Sequence, residues 1–549
     1  MILLIDVSGD ARRAAAALAA RGTLPSQILE RRDLRLQGLL RLLRKMRTAR
    51  PVECYIFCRQ VGTQFNRFPL VLLASLTKAR RIAFCDETEV QRFESPTAAV
   101  IIGTPLYLWH WLYGALAIIA FWVALAAAWL WLRVIRHSAP TSSSTRRLCY
   151  IKTDFWGDLR AGGSVTHTRE FINAGCDIGY DISVFACDPL RHYQLKTGVQ
   201  VIRPAPGLYD LPIFISQMEY NLRFPIAVWR KLRHTPVGGV YQRHSRNNFS
   251  GVVLSMLLKV PFLLEHNSSS SWIAKNWSGQ RTSFISSLCE KLNFLGAYRI
   301  TVVSETLRKD LLSRRVDPAK VIVNPNGVDP VRFGPHVDTS AVRNHLPQGK
   351  LLVGFIGVFG QWHGVLTLMR CVKYVVKGCD NAHFVIIGDG ALKQEMIRIL
   401  QQDDVLEQVT FAGLVKHELA PAYLNACDVL VSPHEDMADG STFFGSPTKI
   451  FEYMATGKGI VASDVGQLEE LLDDRQDALL VRQKDEVQLA EAIVRLLRDS
   501  ALRERLGFAA RRKAMAAFTW RQNYCRALGL PQESISSDVA LCLEQDNLR

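Results

Sequence analysis

Lys449 and Glu452 stand three residues apart in the stretch "FFGSPTKIFEYMATGKGIVASD", which runs from Phe443 to Asp464. Gly445, Ser446, Pro447 and Thr448 come directly before the lysine. This order predicts a loop, a short helix and a buried strand, "GIVAS". Ser446 is placed to cap the helix, Pro447 to open it at its first position, and Gly457 to close it. Ile450, Phe451 and Met454 give the helix an apolar face, and Lys449, Glu452 and Tyr453 share the other flank. Free amides at a helix start, beside an ammonium, hold an anion. A glutamate one turn deeper accepts from hydroxyls. The two groups together suit a sugar nucleotide, with diphosphate at the helix start and ribose at the glutamate. The plainer alternative is a surface pair worth roughly a few tenths of a kcal/mol. It leaves the glycine loop ahead of the lysine without a purpose.

Other residues of suitable type sit at predicted strand ends. Gly162 and Gly163 precede a helix expected near Ser164, where a glycine pair either lets backbone approach a phosphate or simply reverses the chain. Gly388 and Gly390 bracket Asp389 in "IIGDG" in the same way. His266 ends the strand "PFLLEH" and is read either as a group that orients a sugar hydroxyl or as a structural histidine. Arg243, with His244 and Arg246, lies in "YQRHSRNNFSG", either an acceptor-binding loop or a solvated one. In "GVFGQWHG" His363 is the one ionisable residue. "HEDMADG" carries Glu435, Asp436 and Asp439, but the chain has no Asp-x-Asp, so no motif for a metal-bound diphosphate is present. Neutralisation is therefore expected from protein cations and helix starts.

The elements that position these residues alternate between strand and helix over two stretches. "LCYIKTD", "QVIRPA", "PFLLEH" and "RITVVS" belong to the first, and "LLVGFIGV", "HFVIIGD", "QVTFAGL", "DVLVSP" and "GIVASD" to the second. That alternation predicts two facing, doubly wound parallel sheets, with ligands outside the carboxyl ends of the strands. Ahead of them, residues 1–100 hold "MILLIDV", "ECYIFC" and "RIAFCDE" and read as a small α/β unit. The expected boundaries are 101–136 for a membrane segment, 137–147 for a Ser/Thr-rich linker, 148–335 and 350–530 for the two larger domains, and 531–549 for a tail.

The chain has 549 residues, a formal charge of +16 and a pI near 9.4, which favours anionic partners. No zinc-finger spacing or RNP-like aromatic motif is present, so nucleic acid is not expected. Twelve cysteines without a CxxC pair favour reduced thiols and a cytosolic setting. The amino terminus lacks a basic region and reads as a strand with no secretory signal. From Trp111 to Leu132 there are 22 residues without a charge, enough to cross a bilayer, with tryptophans near both ends. A buried core helix is the alternative. Arg133, Arg136, Arg146 and Arg147 place the following side in the cytoplasm. Both a single span and a re-entrant hairpin broken near Pro105 to Gly114 fit the pattern.

The series "GDG", "VTFAGLV", "ACDVLVSP" and "SPTKIFEYMATGKGIVASD", with "AGGSVTHTREF" and "VNPNGVD" upstream and "AFTWRQNY" downstream, resembles the GT4-type retaining glycosyltransferases of the GT-B fold. The resemblance covers residues 148–530. It implies an α/β GT-B architecture and transfer from a nucleoside diphosphate sugar to a glycan or lipid-linked acceptor, with neither metal nor cofactor. Glu452 matches the second glutamate of the family's E-x7-E stretch, which binds ribose. The first would fall at Phe444, so Glu435 or Asp439 is the expected substitute in contact with the donor sugar. The family's arginine and lysine after the first strand of the second domain are missing from "GVFGQWHG". His363 lies near the lysine's place, and Lys449 is the replacement cation. Gly162 and Gly163 match the family's glycine pair, and His266 its strand-end histidine. With the apolar segment, the resemblance implies a membrane-associated enzyme of glycan assembly with cytoplasmic catalytic domains. The alternatives are a non-catalytic scaffold and a GT-B sugar-nucleotide epimerase.

Overall fold

The computed structural model describes residues 2–8, 10–30, 51–58, 61, 64–93, 96–134, 145–155, 162–268, 284–437 and 440–531. Asp439, most of the 137–147 linker and the tail beyond Pro531 lie outside them. Contacts divide the chain into two compact units. One comprises Met1–Val165, Tyr180–Leu264 and Ser270–Tyr298; the other comprises Thr166–Gly179, Glu265–Ser269 and Arg299–Arg549. The stretch expected as one domain over 148–335 is thus shared between them.

The first unit opens with strands β1 (Ile2–Asp6), β2 (Gln27–Leu29), β3 (Glu53–Phe57), β4 (Arg81–Cys85) and β5 (Val90–Phe93), in sheet order β2-β1-β3-β4-β5. All pairs are parallel except β4 with β5. Leu3, Ile5, Ile56, Ile82 and Phe84 pack on one face with Val71 and Ala74 of helix α2 (Arg67–Ser75), and Leu4, Tyr55 and Phe57 on the other with Ala14 and Leu18 of helix α1 (Ala11–Ala19). β2 and β5 are too short and too polar to be legible in the sequence.

Helix α3 (Pro96–Val134) is 39 residues long and continuous through Pro105. The break expected near Pro105 to Gly114 is absent, and the helix starts five residues before the expected Ile101. It is long and apolar enough to cross a membrane, yet Gly114, Ala117, Phe121, Leu125 and Ala128 are buried along one side of it. Strands β6 (Arg147–Lys152), β7 (Asp181–Ala186), β8 (Val199–Val201), β9 (Gly239–Arg243) and β10 (Phe262–His266) follow, in the order β8-β7-β6-β9-β10. Helix α4 (Gly163–Asp177) starts one residue ahead of the expected Ser164 and belongs from Thr166 on to the second unit; α5 (Ile213–Leu232) and α6 (Phe284–Gly296) are helices of the first. α5 and α6 receive the buried side of α3 through Met218, Cys289 and Leu292.

In the second unit, β11 (Arg299–Val302) pairs in parallel with β12 (Val321–Val323). Six strands then form a wholly parallel sheet: β13 (Leu351–Ile356), β14 (Ala382–Ile387), β15 (Val409–Gly413), β16 (Val429–Ser432), β17 (Gly459–Ser463) and β18 (Leu479–Val481). Their order is β15-β14-β13-β16-β17-β18, the doubly wound arrangement whose switch point lies between β13 and β16. Strands covered on both faces read as near-continuous apolar runs, which is why "LLVGFI" and "HFVII" were legible. Helix α7 (Val365–Gly378) buries Val365, Leu368, Met369, Val372 and Val375, a spacing of three and four, in the same core as Phe355, Phe384 and Ile386.

Phe121 of α3 is fully buried among Met218, Phe249 and Leu292. Phe121→Ala is expected to lower stability by roughly 3–5 kcal/mol, seen as a lower unfolding midpoint of the detergent-solubilised protein. An unchanged midpoint would mean that α3 is only a tether.

Candidate functional site

At the switch point two loops leave the sheet: residues 357–364 after β13 and residues 433–447 after β16. Gly364 has φ 62°, and a Cβ there would lie 1.6 Å from the Pro433 carbonyl oxygen, so the loops meet backbone to backbone. The Glu435 amide donates to the Trp362 carbonyl at 3.0 Å. Thr367 Oγ1 of α7 donates to Glu435 Oε1 at 2.7 Å. Glu435, expected to substitute for the missing glutamate, thus commits one carboxylate oxygen to holding the loops together.

Gly388 and Gly390 support the same loop from behind. Gly388 has φ 132°, and a Cβ on it would come within 1.9 Å of the Gly357 carbonyl oxygen; one on Gly390 would meet the Phe359 amide at 2.7 Å. Close backbone approach accounts for both glycines. Gly445 is closely overlaid by the Phe443 ring, 2.8 Å from where a Cβ would stand.

His363 and His434 come from the two loops and meet through Nδ1 and Nε2 at 3.1 Å. His434 Nδ1 lies 3.0 Å from Ser432 Oγ. Burial, then the nearby Lys449 ammonium, lowers the His363 pKa to about 2 and holds that of His434 well below its usual value. Both rings are therefore neutral at pH 7, and each can donate one hydrogen bond and accept another.

Lys449 is the second residue of helix α8 (Thr448–Thr456), which Gly457 closes at φ 71°. The first turn differs from expectation. Pro447 takes the cap position, and Ser446 Oγ instead accepts from the Asn326 amide at 3.0 Å. The Asn326 side chain donates to the Ser446 carbonyl at 2.6 Å and meets His167 Nδ1 at 2.6 Å, and His167 Nε2 lies 2.9 Å from Glu265 Oε1. This relay, which pins the loop before α8, was invisible in the sequence because its members are far apart. Thr448 is half-buried at the helix start.

The flank of α8 expected to be polar is largely buried. Tyr453 is fully enclosed, accepting from the Ile356 amide at 3.1 Å. Lys449 is 6% exposed; its Nζ lies 4.1 Å from the Phe355 ring centroid, against Gly357, and has no hydrogen-bond acceptor among the described residues. Burial lowers its pKa to about 7, with Glu452 opposing the shift. A cation–π contact offsets only part of the cost of burying an ammonium.

Glu452 lines a cleft with Thr166, Glu170, Gly327, Asp329 and His417. Burial raises its pKa to about 7, while Arg332, Lys449 and Arg169 pull it down and Glu170 pushes it up. Arg332 Nη2 donates to the His417 carbonyl at 3.0 Å, Arg169 Nε donates to Glu170 at 2.8 Å, and Arg169 also meets His417 Nε2. Arg169 and Arg332 were missed as site residues in the sequence, although Arg169 lies within "AGGSVTHTREF" and Arg332 three residues beyond "VNPNGVD".

His266 is fully buried at the end of β10 and is not among the residues lining that cleft. In the first unit, Gly162 has φ 112°, and none of the described residues stands within 4 Å of a Cβ built on it or on Gly163. The positive φ favours glycine at Gly162. Arg243 reaches the Ser164 carbonyl only at 3.5 Å.

A doubly wound parallel sheet with polar groups gathered at its switch point defines a Rossmann-like ligand-binding domain. Residues 161–332 match the family model "Glycosyltransferase Family 4", and residues 350–499 match "Glycosyl transferases group 1". The chain is a GT4-type glycosyltransferase of the GT-B fold. It is 20% identical over 380 residues to an uncharacterized glycosyltransferase of Methanocaldococcus jannaschii, covering 66% of this chain and 92% of the relative. It is 27% identical over 192 residues to the UDP-Gal:alpha-D-GlcNAc-diphosphoundecaprenol alpha-1,3-galactosyltransferase of Escherichia coli, covering 34% of this chain and 48% of that protein. In fold it is similar to a glycosyltransferase of Rickettsia africae, with a TM-score of 0.55, 14% identity, and coverage of 72% of this chain and 100% of the other.

Gly364→Ala is expected to cost roughly 2–3 kcal/mol or more, because both the φ and the Pro433 carbonyl oppose a side chain. A chemical-denaturation midpoint equal to wild type would contradict the docking of the two loops. With a pKa of about 7, Lys449 is about one-tenth protonated at pH 8. An anion favours the charged form, so pyrophosphate binding at pH 8 should take up more protons than in Lys449→Arg, and wild-type affinity should fall from pH 6 to 8.5. Titration calorimetry in buffers of different ionisation heat measures the uptake; equal uptake in the two proteins would place the anion elsewhere.

Proposed function

We propose that the chain transfers a sugar from a nucleoside diphosphate sugar to a hydroxyl of a lipid-linked or cell-surface glycan, with retention of anomeric configuration and without a metal ion or cofactor. The observation that carries this reading is Lys449: a buried ammonium with no acceptor among the described residues, at the switch point of the sheet. In the reaction the bond from the anomeric carbon to the diphosphate breaks, the acceptor oxygen bonds to that carbon, and its proton passes to the leaving phosphate. Lys449 and the first amides of α8 stabilise the charge that develops on the diphosphate. Glu452 accepts from the ribose hydroxyls and so positions the donor.

The neutral His363 and His434 pair feels the lysine's charge and suits the hydroxyls of the donor sugar; Gly445 and the remaining carboxylate oxygen of Glu435 are assigned to the same donor side. On the family resemblance Gly162 and Gly163 stand for the family's glycine pair and His266 for its strand-end histidine, while Arg243 is read from its own loop as a group for an acidic acceptor. The relative that acts on a diphosphoundecaprenol-linked sugar supports a lipid-linked acceptor, and the apolar helix α3 supports membrane association with the catalytic regions in the cytoplasm.

A thermal-shift screen against UDP, GDP, dTDP, ADP and their sugars tests the reading. At about a hundred times its dissociation constant, the matching nucleotide should stabilise the protein by about 2.7 kcal/mol, and Lys449→Ala with Glu452→Ala should abolish the shift. Lys449→Ala alone is expected to lower kcat by about 10²–10³-fold. A nucleotide shift that survives both substitutions would remove these residues from the donor site.

A further inference from the structure

Helix α3 is apolar all round, yet its sides are not equivalent. Gly114, Ala117, Phe121, Leu125 and Ala128 make one buried stripe at spacings of three and four. Gly114 lets the helix close onto Leu211 and Ile215, about 3 Å from where a Cβ would stand. His110 Nδ1 meets Asp210 Oδ2 at 2.9 Å, and the Tyr113 hydroxyl donates to Glu219 at 3.2 Å. On the opposite side, Trp109, Leu112, Leu116, Ile119, Val123, Leu130 and Val134 are between 53% and 72% exposed. No Asp, Glu, Lys or Arg occurs from Pro96 to Leu132.

The two flanks of the helix also touch one another. Phe65, which precedes it, lies 5.0 Å from the ring of Tyr209 and 5.9 Å from that of Phe155, both of which follow it. Phe68 stacks on Tyr107 of the helix itself at 4.6 Å. Segments in such contact cannot have a bilayer between them. The length points the same way: 39 residues extend for about 58 Å, nearly twice the ~30 Å hydrocarbon core.

We infer that α3 lies in the plane of an anionic lipid surface, its bare stripe in the boundary between headgroups and acyl chains, with the described residues of 2–93 and 145–264 on the same side. This rests on the membrane association proposed above and adds an orientation to it. The charge around the helix fits this occupant. Arg133 sits over Trp129 near the end of the helix, and α5, which packs beside α3, exposes Arg223, Arg230 and Lys231 while burying Glu219, its only acid. Ile213, Phe214 and Ile226 of α5 are exposed as well.

The full-length protein, diluted from detergent into phosphatidylcholine vesicles with and without phosphatidylglycerol, should float with them. The anionic lipid should raise the bound fraction several-fold, and salt should reverse the gain. Trp109→Ser with Leu116→Ser, Ile119→Ser and Val123→Ser should lower partitioning at least about tenfold without moving the unfolding midpoint. Independently, Ala19→Cys and Gln200→Cys in right-side-out and inverted vesicles should both react with an impermeant maleimide from the same side, measured over the wild-type background. Flotation with the two cysteines on opposite sides would overturn the in-plane orientation and leave membrane association standing. Failure to float would overturn both, and would mean that a protein covers the stripe.

Discussion

A lysine ammonium enclosed against an aromatic ring, without a hydrogen-bond acceptor among the described residues, is an unfavourable arrangement that a folded chain has to support elsewhere. Lys449 is held in it by the apolar face of α8, where Ile450, Phe451 and Met454 are fully buried, and by Tyr453, which fixes the helix to the backbone of β13. Burial brings its pKa down to about 7. An anion would restore the charge and supply the missing acceptor. That is the physical basis for proposing Lys449 as the group that meets the donor's diphosphate.

The two loops around the lysine have little freedom. Gly364 and Gly388 each admit another backbone to within a distance that any side chain would forbid, and Glu435 and Ser446 spend polar groups on fastening rather than on display. The histidine pair is neutral because burial and the neighbouring ammonium act in the same direction. Preorganisation of this kind suits a reaction whose main demand is stabilisation of a leaving group's charge. In the proposed reaction that demand falls on Lys449 and the first turn of α8, while Arg332 and Arg169 lower the pKa of Glu452.

The same accounting of burial explains the apolar helix. Its composition alone is that of a membrane span. Its buried residues, however, fall in one stripe and are matched by Leu211, Ile215 and Met218, so the helix belongs to the folded unit on one side and has no protein cover among the described residues on the other.

What the sequence determined by itself is what depends on near neighbours along the chain. The parallel strands were legible because strands covered on both faces are continuous apolar runs, and α8 with its closing glycine because caps and turns are local. The lysine and glutamate could be paired because a helix brings residues three apart together. Tertiary structure alone decided that Lys449 is buried, that His363 meets His434 across 71 residues of chain, and that Arg169 and His417 come together across 248. It also decided that Ser446 is claimed by Asn326 and that one side of α3 is packed. These contacts are set by the order of strands in the sheet and by which face each helix turns inward, and neither is encoded within a single turn of chain.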